Sequence, residues 1–269
     1  MIKKDLIKIN YAVLFSFFLM YGCEDVITYE LNSTTPRIVI EGAVTDEAGP
    51  YKVKISRSSD YFNFDSYNNV SNAEVIISDS RGNSETLSET SPGVYETADL
   101  VTHYNTEYYL KVKVGDDLFE ASTILLEPII IDSLSYEIDE DDEEYVVTSH
   151  FQDDPDKEDY AVTNFKLGDR YEKPMAYSDR LTNGNYIETQ RHDFHKDSLK
   201  TGINRIECRM RTVDANTYEY FKTLIEALAV GTDYFSSTTP ENPKSNLSNG
   251  ALGYFGAYAI SRNSIDVKK

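Results

Sequence analysis

The chain has 269 residues, with 26 Lys and Arg against 46 Asp and Glu, a net charge of −20, two cysteines and no tryptophan. A surface this acidic repels phosphate backbones and anionic headgroups, which excludes nucleic acid and charge-driven membrane binding. Without tryptophan, any stacking on a sugar ring falls to the 21 tyrosines.

The N-terminus carries Lys3, Lys4 and Lys8, then the apolar run Tyr11 to Met20, then Tyr21-Gly22-Cys23. A basic stretch, a short apolar run and a small residue before a cysteine have the form of a bacterial secretory leader ending in a lipobox, although Met20 and Tyr21 replace more usual residues. A transmembrane helix would need about 20 apolar residues. This run stops at Gly22, with Glu24 and Asp25 immediately behind it. The expectation is a leader over 1–22 and a lipid on Cys23, which attaches the chain to a membrane. With the leader removed, 247 residues remain, 23 basic and 45 acidic, enough for one large or two ordinary domains. Lipidation of Cys23 leaves Cys208 unpaired, so no internal disulfide is expected. In the alternating run Arg205 to Arg211, Cys208 shares one strand face with Ile206 and Met210, as a core thiol would.

Residues 23–36, containing Asn32-Ser-Thr-Thr-Pro36, read as a tether. From Arg37 the chain turns to short alternating runs separated by turn residues, the pattern of a β-sandwich. Strands are predicted from Ile38, through Tyr51, Val53 and Ile55, over 73–79, 84–87, 107–114 and 118–123. The segment Tyr61-Phe62-Asn-Phe64-Asp-Ser-Tyr67 is too irregular for a strand, and its aromatics make it a candidate contact surface. A junction is placed at 128/129, giving a sandwich over 37–128 and a second β-rich region over 129–269. That region has strands over 145–151, 160–167 and 204–213, and an unreadable polar stretch over 169–200. The acidic turns 139–144 and 153–159 read as solvated hairpin tips. Tyr218, Phe221, Leu224 or Ile225 and Leu228 recur at helical spacing, which predicts one α-helix over about 215–229, capped by Asp214 or Thr217 and ended by Gly231. The fold class is mainly β.

No Gly-x-Ser-x-Gly elbow, phosphate-binding glycine loop or His-Glu-x-x-His helix occurs, so no catalytic residue, cofactor or metal is assigned. His192 and His195 could share a helical turn with Asp193 or Asp197, but no third ligand is fixed by spacing. Asp154, Asp156 and Glu158 alternate like calcium ligands, yet Asp159 stands where that loop needs glycine. Should the chain be an enzyme, the carboxylates around Asp153 to Asp159 and Asp179 are where a hydrolase would work. Asp132-Ser133-Leu134 and Asp197-Ser198-Leu199 have the form of a bacterial O-glycosylation signal.

Several segments in order resemble one family: Cys23-Glu-Asp-Val26, Pro36-Arg-Ile-Val-Ile-Glu-Gly42, Gly49-Pro-Tyr51, Pro92-Gly-Val-Tyr95, Ile131-Asp-Ser-Leu134, Asp179-Arg-Leu-Thr-Asn-Gly184 and Gly253-Tyr-Phe-Gly-Ala-Tyr258. They are similar to Bacteroidota outer-membrane lipoproteins of unknown function. The resemblance implies an Ig-like, transthyretin-like or carboxypeptidase-regulatory-like N-terminal sandwich, and often a gene beside a TonB-dependent receptor. It implies no catalytic residue. Glu24 and Asp25, just behind the lipid site, resemble the signal for cell-surface display, with the periplasmic face of the outer membrane as the alternative. The expected function is a non-enzymatic accessory or binding lipoprotein beside an uptake receptor, with a carboxylate hydrolase as the alternative.

Overall fold

A computed structural model describes residues 35–58, 68–139, 141, 143–195, 205–230 and 241–267, without the side chains of 189–192 and 230. The first nine strands are β1 (Ile38–Thr45), β2 (Lys52–Arg57), β3 (Asn68–Asn69), β4 (Glu74–Asp79), β5 (Ser84–Thr86), β6 (Ser88–Ser91), β7 (Val94–Glu96), β8 (Thr106–Val114) and β9 (Asp117–Leu125). They are followed by β10 (Ser133–Asp139), β11 (Glu144–Gln152), β12 (Tyr160–Leu167), β13 (Arg170–Tyr171), β14 (Met175–Ser178), β15 (Tyr186–His195), β16 (Arg205–Thr212), helix α1 (Ala215–Val230) and β17 (Leu252–Asp266). The mainly β fold with one long helix is the class read from the sequence.

Alternation explains the first layers. In β2, Val53 and Ile55 are buried while Lys52 and Lys54 are exposed. In β8, Tyr108, Leu110 and Val112 are buried on one face. These faces meet in one core between a four-stranded sheet, β5-β4-β8-β9, and part of a ten-stranded sheet. Each fully buried aliphatic or phenyl side chain there contributes roughly 1.5–3 kcal/mol. Buried tyrosines contribute likewise and keep their hydroxyls bonded: Tyr95 donates to the Val70 carbonyl at 3.0 Å, and Tyr108 accepts the His103 N–H at 2.7 Å.

The ten-stranded sheet runs β13-β12-β16-β17-β1-β2-β7-β6, with β14 on β12 and β3 on β2. Its far end covers a second core against the three-stranded sheet β10-β11-β15, and Cys208 is buried there with Ile206 and Met210. The first core includes Leu125 and the second includes Ile129, on either side of the junction expected at 128/129. The sheet itself continues across it, because β17 returns to pair with β1, and Phe255, Ala257 and Ala259 complete the first core. Residues Pro36–Lys269 group as one compact unit.

Strand β17 is the shared element. Its first half pairs in parallel with β1, from Val39↔Leu252 to Thr45↔Tyr258. Its second half pairs antiparallel with β16, from Thr212↔Ala259 to Arg205↔Asp266. Side chains fill the edges left open by this stagger. Asp46 donates its N–H to the Tyr258 carbonyl at 3.1 Å, and its carboxylate accepts the Ile260 N–H at 3.1 Å, taking over where β1 ends. On the first half, the Asn246 amide bonds both the N–H and the carbonyl of Phe255, at 3.0 and 2.7 Å.

Helix α1 packs on the opposite face of this sheet. Asp214 caps it by accepting the Thr217 N–H at 2.8 Å, and its other oxygen accepts the Thr123 hydroxyl and the Ile124 N–H of β9. The buried stripe is Thr217, Tyr220 and Phe221, with Leu224 partly covered, whereas Leu228 is 53% exposed. The expected apolar stripe therefore holds for the first turns only. Gly256 permits the close approach, since a Cβ there would lie 3.0 Å from the Thr217 methyl.

The stretch 169–200 contains β13, β14 and β15, which alternation did not reveal. In β15, Ile187 and Phe194 are both buried although seven residues apart, which a regular strand would send to opposite faces. A bulge resolves the conflict: Ser149 pairs Gln190 but Phe151 pairs Ile187, so β15 spends one extra residue and changes phase.

Gly253 sits in β17 at φ +90°, and a Cβ there would lie 2.1 Å from the Ile40 carbonyl oxygen. Gly253→Ala should therefore destabilise the chain by more than about 2 kcal/mol, lowering Tm by at least about 5 °C in a calorimetric scan. Gly82, also left-handed but with nothing near its Cβ position, should lose less on the same substitution. Equal losses at the two sites would remove the special role given to the β1–β17 approach.

Candidate functional site

The two loops that carry the expected acidic residues converge. The β11–β12 loop supplies Asp153 and Asp159, and the β14–β15 loop begins at Asp179. All three are buried, at 1%, 9% and 1% exposure, which corrects the reading of 153–159 as a wholly solvated tip. Residues 155–158 between them are exposed as expected, and Asp154 is half-buried. The reason is that the carboxylates serve the loop backbone. Asp153 accepts the Gly184 N–H at 2.7 Å and the Tyr177 hydroxyl at 3.3 Å. Asp179 accepts the Asp159 N–H at 2.9 Å, while its second oxygen is buried without a hydrogen-bond partner among the described residues.

Burial pushes the Asp153 carboxyl above the usual carboxylate range, reinforced by the charge of Asp179. Burial does the same for Asp159, reinforced by Asp153. It also pushes the Tyr177 hydroxyl up to about 12, so that tyrosine keeps its proton and donates it. Asp159 borders a cavity of about 220 Å³ with Asp132, Gln152, Asp154 and Lys157. Asp154 is engaged there, accepting the Asp156 N–H at 3.0 Å and pairing with Lys157 at 3.1 Å. Among the described residues, no group of three or more His, Cys, Asp and Glu is arranged to hold a metal ion.

Other expected positions are more scattered. Positions 192 and 195 lie on the extended strand β15, opposite Val147 and Glu144, and not on a helical turn. Ser133 is exposed at the start of β10. Cys23, Glu24 and Asp25, the aromatic segment Tyr61, Phe62, Phe64 and Tyr67, and Ser198 lie outside the described residues. No helix among the described residues is long and apolar enough to cross a membrane.

A feature the sequence reading missed lies on the outer face of the ten-stranded sheet. An open groove of about 730 Å³ runs over β1 and β2, bordered by Glu41, Glu47, Lys52, Lys54, Arg209 and Tyr254. These residues come from four strands and the loop after β1, so no local motif announces them. The only sequence signal is that positions 205, 207, 209 and 211 put charge on every outward position of β16.

Residues 24–264 match the family described as Domain of unknown function (DUF4249). The chain belongs to that family. The match begins at the residue after Cys23 and continues into β17, so a DUF4249 domain takes in both cores and the returning strand. No curated protein matches the chain.

A buried aspartate with a raised pKa binds protons more tightly folded than unfolded. Its contribution to stability therefore falls as pH rises from about 4, the ordinary value, through the raised folded one. Asp159→Asn removes the titration while leaving an acceptor for the loop. The Tm of the variant relative to the natural chain should thus improve between pH 4 and pH 7. A difference that stays flat or declines over that range would contradict the buried-charge account.

Proposed function

We propose that this DUF4249 protein is a lipid-anchored, non-enzymatic accessory or binding protein of the outer membrane, displayed at the cell surface beside a TonB-dependent uptake receptor. The observation that carries this reading is a sequence with the form of a secretory leader over 1–22, followed by Cys23 directly in front of the family match at residue 24. Glu24 and Asp25 support surface display. The buried use of Asp153 and Asp179 supports a binding role over catalysis, because carboxylates that hold loops together are out of a substrate's reach. Exposed Ser133 suits the proposed glycan site, with Ser198 as the second.

One observation favours the hydrolase reading. Asp159 has a raised pKa and borders a cavity, as a general acid would. Hydrolysis of any glycoside or ester that disappears in Asp159→Asn would establish it, and inertness toward a broad panel would retire it.

Cells fed an alkyne fatty acid should label the natural chain and leave Cys23→Ala unlabelled, with the variant lost from the outer-membrane fraction. Protease added to intact cells should remove the natural protein. Survival until lysis would place it on the periplasmic face. Tagged protein extracted in mild detergent should bring a receptor with it, and repeated recovery of the lipoprotein alone would argue against that partnership.

A further inference from the structure

The outer face of β16 and β17 gathers positive charge in a chain whose net charge is −20. Arg209 stands directly opposite Arg262, and Arg211 is two residues along the same face. Like charges opposed across a ladder repel unless an anion lies between them. Two carboxylates lie near Arg262: Glu207 on the same face of β16, and Glu47, which pairs with it at 2.6 Å. Among the described residues neither carboxylate forms an ion pair with Arg209 or Arg211, although Glu47 also feels the charge of Arg209.

Arg211 is a fixed part of the scaffold. Its guanidinium lies 4.9 Å from the Phe221 ring centroid and 5.3 Å from that of Tyr258, and it donates to the Asn164 side-chain oxygen at 2.7 Å. Its Nε is buried with no acceptor among the described residues. Arg209 is different, because it opens on the groove. Its Nε is also buried without an acceptor among the described residues, so this guanidinium has unused donor capacity at the groove. Beside it, Tyr258 donates to the Tyr254 hydroxyl at 2.7 Å, which frees the Tyr254 proton to point elsewhere.

The rest of the groove limits the ligand's charge. Lys52 is paired with Glu96 at 2.8 Å, and Glu47 is paired with Arg262. The residues left to balance a ligand are Arg209 and Lys54 against Glu41, a surplus of one positive charge. Gly42, Ala43, Ala48 and Pro50 make the remaining wall small and weakly polar, suited to the body of a small molecule.

We propose that this groove binds a small ligand through a single carboxylate, held by Arg209 with Lys54 and Tyr254, and that Arg211 supplies fixed positive potential behind it. A planar carboxylate matches the guanidinium fork, and a phosphate dianion would exceed the available charge. The chemistry is shared by a uronic acid and by the C-terminal end of a peptide. The proposal rests on the binding-protein reading but not on the anchor or the receptor. Should the groove fail to bind while lipid labelling and receptor recovery succeed, this proposal alone falls.

The test is calorimetric titration and thermal shift of the full chain in mild detergent, with galacturonate, N-acetylalanine, inorganic phosphate and chloride compared at equal ionic strength. Either carboxylate should raise Tm above the chloride control, and the stronger of the two names the source. Arg209→Gln should weaken binding at least about tenfold, the loss expected for a charged hydrogen bond. If Arg209→Gln does not fold, Lys54→Gln on the exposed rim should weaken binding about threefold, as expected for an exposed charge contact. Lys111→Gln, on the four-stranded sheet, should bind like the natural chain. Failure of both carboxylates to exceed chloride, stronger binding of phosphate, or equal binding by the groove variants would overturn it.

Discussion

The parallel ladder between β1 and β17 is the constraint on which the remaining architecture depends. It joins the beginning of the described fold to its end, and it brings backbones so close at Gly253 that only hydrogen fits against the Ile40 carbonyl. Because β17 is 15 residues long, one half closes the first core while the other half reaches β16 and the second. The stagger leaves half of each β17 edge without a strand. Asp46 and Asn246 fill those gaps with side-chain groups that imitate backbone, which is how a buried ladder avoids orphaned N–H and carbonyl groups.

Charge is distributed in three different ways on this frame. Most of the described acids lie outside the cores, where their charge repels anionic surfaces. Asp153 and Asp179 turn inward to bond the N–H groups of converging loops, so their burial is tied to loop geometry. The arginines of β16 and β17 do the reverse, with Arg211 sealed under the helix by aromatic rings and Arg209 left at the groove. Helix α1 links these features. Its cap Asp214 bonds β9, and its Phe221 ring covers Arg211.

Much of the fold was legible in local pattern. Period-two alternation in β2, β4, β8, β11 and β16 reads directly from side chains that must face a core, and Cys208 falls on the buried face that its neighbours predict. The helix was equally clear, since Asp214 precedes apolar residues at helical spacing. Strand β15 was not, because its bulge changes the phase between Ile187 and Phe194 and so erases the alternation. The inward turn of Asp153 and Asp159 was also hidden. Their partners, Gly184 and Asp179, belong to a loop twenty or more residues away along a chain whose acids look alike.

The sequence by itself determined the acidic surface, the strand-forming segments and the capped helix. Each depends on neighbours within a few residues, where sterics and side-chain periodicity act directly. Tertiary structure alone decided that β1 lies beside β17, that one sheet serves two cores, that three aspartates meet in the interior, and that Arg209 opens on a groove with Lys54 and Tyr254. These are pairings between distant strands. Their register is chosen by the burial of whole faces and by places such as Gly253 where a glycine lets two backbones touch.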